Sequence, residues 1–288
     1  MSRWAFRRTL VGALAALLRT VPVGWGWPFV AWLAVRLADK RQRIAAGNLH
    51  AAFRGAPPTD PRRVFVHLIR TAGDFVRLPQ HRRNGFTAVR IEDLSPLRAL
   101  KSGGAILATG HLGSWELALA ALAFQTKVPL AVVVKRLGWI DDWVNEERKR
   151  SGLLTIPVDR ASTALRGIVS ALDEGRGVVM VIDQHAPDGR VLPFFGLPAA
   201  TTDVPVRLAL RRRRPLLWLS SWREESGGHV ITIDTVWTPD ETIDPAALLI
   251  RLNARLEGAI RAHPTQWLWT HRRWKVRTPT DVPSDEQR

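Results

Sequence analysis

Cysteine and tyrosine are absent from the 288 residues, and only two methionines occur. Without cysteine the chain can form no disulfide, thiolate metal site, iron–sulfur cluster or acyl-cysteine intermediate, so enzymes with a cysteine nucleophile are excluded. Acidic residues are also few, because 26 Asp and Glu stand against 42 Lys and Arg, which leaves a formal net charge of +16. The hydrophobic fraction of 46% is typical of a globular chain, which excludes a disordered or collagen-like protein.

The positive charge favours a polyanionic partner, such as nucleic acid, an anionic membrane surface or an acidic carrier protein. Thirteen tryptophans and nine phenylalanines favour the membrane, since indole rings settle at the bilayer interface and arginine pairs with lipid phosphates. A role in nucleic-acid binding is disfavoured, because the cations are spread along the chain and no nucleic-acid-binding module is recognisable.

The first 40 residues are expected to associate with a membrane. An apolar run from Leu10 to Leu18 and an uncharged run from Val21 to Val35 flank Arg19, and neither run reaches the 18 residues of a spanning helix. A secretory signal fits poorly, because no Ala-x-Ala cleavage pattern follows. The pattern favours two short amphipathic helices in one leaflet. One tilted span in which Arg19 snorkels, and an ordinary buried hairpin, are the alternatives.

Beyond this segment, short apolar runs alternate with helical patterns. The alternation predicts a single α/β domain over residues 41–279, with one mixed sheet covered by helices, and a polar tail at 280–288. The predicted strands are Ala105–Thr109, Pro129–Val134, Thr155–Val158, Val178–Ile182, Leu216–Ser220 and Val230–Ile233. The main predicted helices are Arg62–Val76, Trp115–Phe124, Ile140–Arg150, Thr163–Leu172 and Pro245–Ala262. In the first of these helices the predicted apolar face consists of Val64, Leu68, Ile69 and Ala72.

The main chemical motif, His111-Leu-Gly-Ser-Trp-Glu116, lies between a predicted strand and a predicted helix. Gly110 and Gly113 permit a tight loop, and Ser114 is a natural N-cap. With His111 in the loop and Glu116 in the first helical turn, the carboxylate can accept a hydrogen bond from one ring nitrogen and leave the other to take a proton.

This arrangement supplies a base and its orienting carboxylate without a nucleophile. It suits a reaction in which an acceptor hydroxyl attacks an activated acyl group directly. The alternative is a strand-end histidine held in a helix-capping network. The chain contains no GxSxG, GxGxxG, Walker A or HExxH sequence, which disfavours the usual hydrolase, dinucleotide-binding, NTPase and zinc-protease interpretations.

The motif resembles the HX4(D/E) motif of the bacterial lipid A biosynthesis acyltransferases, the late acyltransferases of the glycerolipid acyltransferase group. Further stretches are similar to this family in the same order, namely Arg41–Phe53, Asp183–Gln184, Val191–Gly196, Ala200–Thr202 and Gln266–Lys275. The resemblance implies a glycerolipid acyltransferase-like fold without a metal or cofactor. The implied reaction moves a fatty acyl chain from acyl carrier protein or acyl-coenzyme A to a hydroxyl of a membrane glycolipid, such as a lipid A precursor.

Under this resemblance His111 is the general base and Glu116 its carboxylate partner. The implied substrate-binding residues are Lys135, Arg136, Arg160, Asp183, Gln184 and Phe195. Arg160 would hold a phosphate or assist the oxyanion, and Asp183 would orient Arg160. Because strand ends converge on one edge of such a sheet, His111, Arg160 and Asp183 are expected to share a cleft.

One departure concerns the acceptor. Lys135-Arg136-Leu137 stands where the family often has an aromatic-Arg-Pro triplet, so the acceptor can differ from a lipid A precursor. A lysophospholipid or another glycolipid is the enzymatic alternative, and a basic lipid- or nucleic-acid-binding protein is the non-enzymatic one. The expected location is the cytoplasmic face of the inner membrane. Trp267 and Trp269 fit either the membrane interface or the core.

Overall fold

A computed structural model describes residues 3–22, 26–135, 138 and 140–275. Arg136 and the predicted tail at 280–288 lie outside the described residues. The helices are α1 (Arg3–Thr20), α2 (Gly26–Leu37), α3 (Asp39–Ala52), α4 (Pro61–Val76), α5 (Leu78–Arg83), α6 (Trp115–Thr126), α7 (Asp141–Arg150), α8 (Ala161–Asp173), α9 (Val204–Arg212) and α10 (Pro245–Ala262). A 3₁₀ helix spans Ser95–Ser102.

The strands are β1 (Val89–Ile91), β2 (Ala105–Thr109), β3 (Leu130–Val134), β4 (Leu153–Pro157), β5 (Gly177–Val181), β6 (Arg190–Phe194), β7 (Leu197–Thr201), β8 (Leu216–Arg223) and β9 (His229–Trp237). Seven of them form one sheet in the order β1-β9-β8-β2-β5-β3-β4. Neighbours in this sheet are parallel except β8 and β9, while β6 and β7 form a separate antiparallel hairpin. The predicted mixed α/β sheet is confirmed.

Helices cover both faces of the sheet, which explains why its central strands read as continuous apolar runs. All five residues of β2 are buried. Ile106 and Ala108 pack into a core with residues of α8, α9 and α10, whereas Ala105 and Leu107 pack into a second core with residues of α6. Two independent apolar layers therefore fix the position of β2, the strand that leads into the HX4E motif.

The apolar face predicted for α4 is only partly right. Val64 is buried, but Ala72 is exposed, and three polar side chains lie buried on the helix: His67, Thr71 and Asp74. Hydrophobic periodicity could not find these three residues, because their partners are polar groups of the loop that follows β2 rather than apolar side chains.

The N-terminal segment forms two helices, α1 and α2, which pack against α4. No helix among the described residues is both long enough and apolar enough to cross a membrane. The single tilted span with a snorkelling Arg19 is not supported. Arg19 is held by protein groups instead, because its Nε donates to the carbonyl of Val76 at 2.7 Å and its guanidinium lies 3.7 Å from a carboxylate oxygen of Glu147.

Two tryptophans of α2 have opposite environments. Trp27 is buried with 5% of its surface exposed, whereas Trp32 is 49% exposed. Gly73 of α4 gives Trp27 its space, because a Cβ atom at this glycine would lie 3.0 Å from the indole ring. The Arg77 guanidinium lies 5.0 Å from the centre of the same ring. Close contact between α2 and α4 thus depends on one indole ring and one glycine.

We predict that Trp27→Ala lowers the free energy of unfolding by about 3 to 5 kcal/mol, the usual cost of removing a buried large aromatic side chain. Trp32→Ala is the matched control and should change stability by less than about 1 kcal/mol, because its ring is half exposed. Urea unfolding in detergent measures both variants. Equal losses in the two variants would contradict the docking of α2 through Trp27.

Candidate active site

The sheet brings His111 and Asp183 level with each other. β2 and β5 are neighbouring parallel strands in which Thr109 is paired with Val181, and the N–H of Ile182 donates to the Thr109 carbonyl at 3.0 Å. His111 and Asp183 each follow their paired residue by two positions. They therefore meet at the carboxyl edge of the sheet, as the convergence of strand ends predicts.

Asp183 binds the imidazole and the backbone of His111 together. Its Oδ1 lies 2.8 Å from Nδ1 of His111, and its Oδ2 accepts from the backbone N–H of His111 at 2.6 Å. Oδ2 also accepts from the indole N–H of Trp267 at 2.8 Å. Only 2% of Asp183 is exposed. Since a carboxylate can only accept, Nδ1 of His111 carries a proton and Nε2 of the neutral ring has a free lone pair.

The electrostatics favour an ionised Asp183 beside a basic His111. Burial opposes the charged form of both groups. The opposite charge of the partner and the hydrogen bonds between the two residues outweigh this cost. As a result the pKa of Asp183 is lowered and the pKa of His111 is raised above its usual value. Nε2 makes no hydrogen bond to any residue that the structure describes, and 18% of the His111 side chain is exposed.

The predicted hydrogen bond between His111 and Glu116 is wrong. Glu116 lies in the first turn of α6, as predicted, but its two carboxylate oxygens accept from Nε and Nη2 of Arg148 on α7, with an Nε–Oε2 distance of 3.1 Å. The negative charge of Glu116 still raises the pKa of His111. Arg148 was missed by sequence analysis, because it stands in a charged run that is typical of a solvated helix end.

The predicted pairing of Asp183 with Arg160 is also wrong. Hydrogen bonds with His111 and Trp267 engage both carboxylate oxygens of Asp183. Arg160 is the exposed residue before α8 and follows β4, which is two strands away from β5, the strand that Asp183 follows. At about 4.8 Å per strand, Asp183 and Arg160 are roughly 10 Å apart along the same edge.

Residues near the C-terminus hold the loop that contains His111. The Leu268 N–H donates to the His111 carbonyl at 3.1 Å, and the Gly113 N–H donates to the Gln266 carbonyl at 3.0 Å. Gly113 has a φ of +62°, and a Cβ atom there would lie 2.3 Å from the Ser221 carbonyl oxygen. Only glycine fits this position, which explains the Gly in the motif.

The C-terminal segment is anchored in turn by α3. The Asn48 side-chain amide donates to the carbonyls of Trp269 and His271, each at 2.7 Å. Trp267 and Trp269 are buried, with 1% and 0% of their surfaces exposed, so the core alternative is correct for both. Asn48 and Trp267 lie in stretches that resemble the family, but their contacts with the loop could be found only from the fold.

The family model for bacterial lipid A biosynthesis acyltransferases matches residues 4–276. The chain belongs to this family. The resemblance read from the motifs is thereby confirmed. A lipid A biosynthesis acyltransferase of Haemophilus influenzae is 24% identical in an alignment of 286 positions that covers 93% of this chain and 87% of the relative.

The remaining predicted binding residues of this acyltransferase differ in their surroundings. Lys135 is exposed directly after β3, and its charge lowers the pKa of His111, so it lies within electrostatic reach of the site. Gln184 follows Asp183 and is half-buried. Phe195 is 3% exposed and packs edge-on against Phe53. The substrate contacts assigned to these residues stay predictions.

Among the described residues, no three His, Asp or Glu side chains converge as potential metal ligands. The expectation that the enzyme works without a metal or cofactor stays a prediction.

Two further histidines lie buried beneath the site. The pKa of His67 and the pKa of His229 are each lowered to about 4, mainly because burial disfavours their charged forms, and the charge of Arg223 adds to the effect. Asp74 acts in the opposite direction on both. Both rings are therefore neutral at pH 7 in the folded protein.

We predict that stability falls as the pH drops from 6.5 to 4. In this window the unfolded chain, whose histidines have a pKa near 6.5, binds more protons than the folded chain, so acid favours unfolding. The loss at pH 5 relative to pH 7 is about 2 kcal/mol for each histidine. Urea unfolding at the two pH values measures it, and His67→Gln should remove one histidine's share. The same pH dependence in wild type and His67→Gln would contradict the lowered pKa.

Proposed function

We propose that this protein is an O-acyltransferase that moves a fatty acyl chain from an acyl thioester to a hydroxyl of a membrane glycolipid, such as a lipid A precursor. The observation that carries the proposal is the hydrogen bond between Nδ1 of His111 and Asp183. It keeps the proton of the neutral ring on Nδ1 and leaves the lone pair of Nε2, on a side chain that is 18% exposed, to take a proton from an acceptor hydroxyl.

The proposed reaction is a direct transfer from donor to acceptor without a covalent enzyme intermediate. Nε2 of His111 takes the proton of the acceptor hydroxyl while the oxygen attacks the thioester carbonyl carbon, and a C–O bond forms. The tetrahedral intermediate then collapses, the C–S bond breaks, and the imidazolium returns its proton to the departing sulfur. Asp183 stabilises the imidazolium, which is the role of the buried carboxylate in hydrolytic triads.

The side chains around His111 favour direct transfer over an acyl-enzyme. The chain has no cysteine, and the hydroxyl of Ser114, the nearest serine in the motif, donates to Asp74 at 2.7 Å. Ser114 is also 2% exposed, which keeps it from an incoming acyl group. The nucleophile therefore has to come from the acceptor.

Cations along the carboxyl edge of the sheet support an anionic substrate. Lys135 follows β3 and Arg160 follows β4, and both are exposed on the same edge as His111. We propose that they bind phosphate groups, which occur in a lipid A precursor and in the phosphopantetheine arm of both acyl carrier protein and coenzyme A. Arg136, the middle residue of the Lys135-Arg136-Leu137 triplet, is the third residue proposed to bind phosphate. Gln184 and Phe195 are proposed to line the substrate path.

The exposed face of the N-terminal helices supports action at a membrane surface. Leu17 of α1 is 64% exposed, and Phe29, Trp32 and Leu37 of α2 are each between 49% and 80% exposed. The Arg36 guanidinium lies 4.1 Å from the centre of the Trp32 ring. Apolar and indole side chains next to an arginine suit the interface of an anionic bilayer. We propose attachment to the cytoplasmic face of the inner membrane.

We predict that His111→Ala lowers turnover by roughly two to four orders of magnitude, the usual contribution of general base catalysis. His50→Ala, at an exposed histidine of α3, is the matched control and should leave turnover unchanged. The measurement is transfer of a labelled acyl chain from acyl carrier protein or coenzyme A to lipid A precursors or lysophospholipids, with products separated by chromatography. Near-normal turnover of folded His111→Ala protein would refute the proposal.

The two carboxylates should respond differently to amide substitution. Asp183→Asn is expected to lower turnover by about the same factor as His111→Ala, because the imidazolium loses its stabilising charge. Glu116→Gln leaves Arg148, which is 7% exposed, without its bidentate partner, so it should lower stability as well as turnover. Thermal unfolding measures the stability of both variants, and the transfer assay measures their turnover. Full turnover in Asp183→Asn would remove Asp183 from the mechanism.

Membrane attachment is tested on the apolar face of α2. Replacing Trp32 and Leu37 with serine should weaken sedimentation with phosphatidylglycerol vesicles at least tenfold, because both side chains lose their apolar transfer energy. The matched control replaces Leu154 and Val158, which are 42% and 41% exposed at the β4 edge of the sheet. Equal loss of vesicle binding in both double variants would contradict the proposal that the apolar face of α2 binds the membrane.

A further inference from the structure

Three buried polar residues occupy one face of α4. His67, Thr71 and Asp74 are spaced four and three positions apart, which aligns them on the helix, and they are 7%, 5% and 8% exposed. We call these three residues the polar stripe. A buried polar group is unfavourable unless it is hydrogen-bonded, so the partners of the polar stripe define what it does.

The partners of the polar stripe are Gly113 and Ser114, the two residues that connect the His111 loop to α6. The hydroxyl of Thr71 donates to the Gly113 carbonyl at 3.3 Å, and Nε2 of His67 lies 3.3 Å from the same oxygen. Nε2 of His67 also lies 3.2 Å from the Thr71 hydroxyl oxygen, so the two side chains and the Gly113 carbonyl form one hydrogen-bond network. Asp74 Oδ2 accepts from the Ser114 hydroxyl at 2.7 Å.

These bonds change the expected role of Ser114. Ser114 does precede α6, as the motif predicts, but its side chain forms no capping hydrogen bond to the helix backbone. Its hydroxyl is directed to α4 instead. The connection between His111 and Glu116 is thus fixed to α4 as well as to α6.

Asp74 also links the polar stripe to the opposite side of the loop. It forms an ion pair with Arg223 at the end of β8. The backbone N–H and carbonyl of Arg223 bond to the side chain of Gln266, each at 2.8 Å. The carbonyl of Gln266 accepts from the Gly113 N–H. Gly113 is therefore held at its carbonyl by α4 and at its N–H by the C-terminal segment.

We propose that His67, Thr71 and Asp74 are positioning residues for acyl transfer. They act through Gly113 and Ser114, which hold the loop that contains His111. The loop in turn keeps Nε2 of His111 directed at the acceptor hydroxyl and in a fixed position relative to Glu116 and Lys135. The proposal rests on the proposed function, because it assigns the polar stripe to the same reaction. Displacement of a catalytic group by about 1 Å can cost a factor of 10² in rate, so a connection fixed from both sides has a direct effect on turnover.

A purely structural role for the polar stripe makes a different prediction. If these residues only satisfy buried groups, their loss reduces the amount of folded enzyme but leaves kcat and KM of the folded fraction unchanged. If they position His111, kcat of the folded fraction falls while KM stays the same, since the substrate-binding cations lie on other elements.

The test uses Thr71→Val, which keeps the shape of the side chain and removes its hydroxyl. We expect kcat to fall about 10- to 100-fold with KM unchanged, and Thr71→Ser to restore it to within about threefold of wild type. Thr126→Val is the matched control, because its hydroxyl donates to a backbone carbonyl at the far end of α6. That variant should keep wild-type kcat. Unchanged kcat in folded Thr71→Val would overturn the proposal.

A second readout separates this proposal from the proposed function. Amide hydrogen exchange of the segment 110–117 should become faster in Thr71→Val and stay unchanged in Thr126→Val, whether or not the protein transfers acyl groups. Ser114→Ala, which leaves α4 intact, gives the same test if Thr71→Val does not fold. Wild-type enzyme without transfer activity would refute the proposed function. If amide hydrogen exchange of this segment is the same as in wild type in both Thr71→Val and Ser114→Ala, the positioning role of the polar stripe is refuted.

Discussion

The hydrogen bond between His111 and Asp183 exists because β2 and β5 are neighbouring parallel strands, although 72 residues separate the two side chains in the chain. A shift of one residue in the register would move Asp183 by about 3.3 Å along the strand and break both of its bonds to His111. The register is secured by burial, since β2 and β5 lie in the middle of the sheet with apolar residues packed on both faces. The position of the proposed base is thus a property of the whole sheet.

The order of helices and strands could be predicted from the sequence because it depends on local apolar periodicity. Local patterns carry no information on which strands become neighbours. For this reason Asp183 could be assigned to the right edge, through the convergence of parallel strand ends, but not to the right partner. Glu116 was given that partnership because it was the nearest acid in sequence, whereas the fold supplies it with Arg148 from α7.

Other features were missed for physical reasons that can be named. The β6–β7 hairpin contains Pro193 and Pro198, which weaken a strand prediction, and within the described part of the chain its two strands pair only with each other. The polar residues on the buried face of α4 were missed because they bond to a loop rather than pack in an apolar layer. In both cases the local sequence is shaped by a tertiary partner that no window of neighbouring residues reveals.

Two adjacent residues of α7 connect the N-terminal helices to the site. Glu147 is 2% exposed and lies beside Arg19 of α1, and the next residue, Arg148, binds Glu116 of α6. Glu147 also accepts from Arg150, so its buried charge is shared between two cations. Helix α1 and the helix that follows His111 are therefore joined through α7, a helix of ten residues, in addition to the contacts that both make with α4.

The contacts of the C-terminal segment also set the order of events during synthesis. Residues 266–268 hold the His111 loop, and Asn48 holds the residues that follow them. The ribosome makes the N-terminal helices before this segment. The nascent chain thus contains α1 and α2, the helices proposed to bind the membrane, long before the imidazole is fixed, and the site is assembled only after residue 271 has left the exit tunnel.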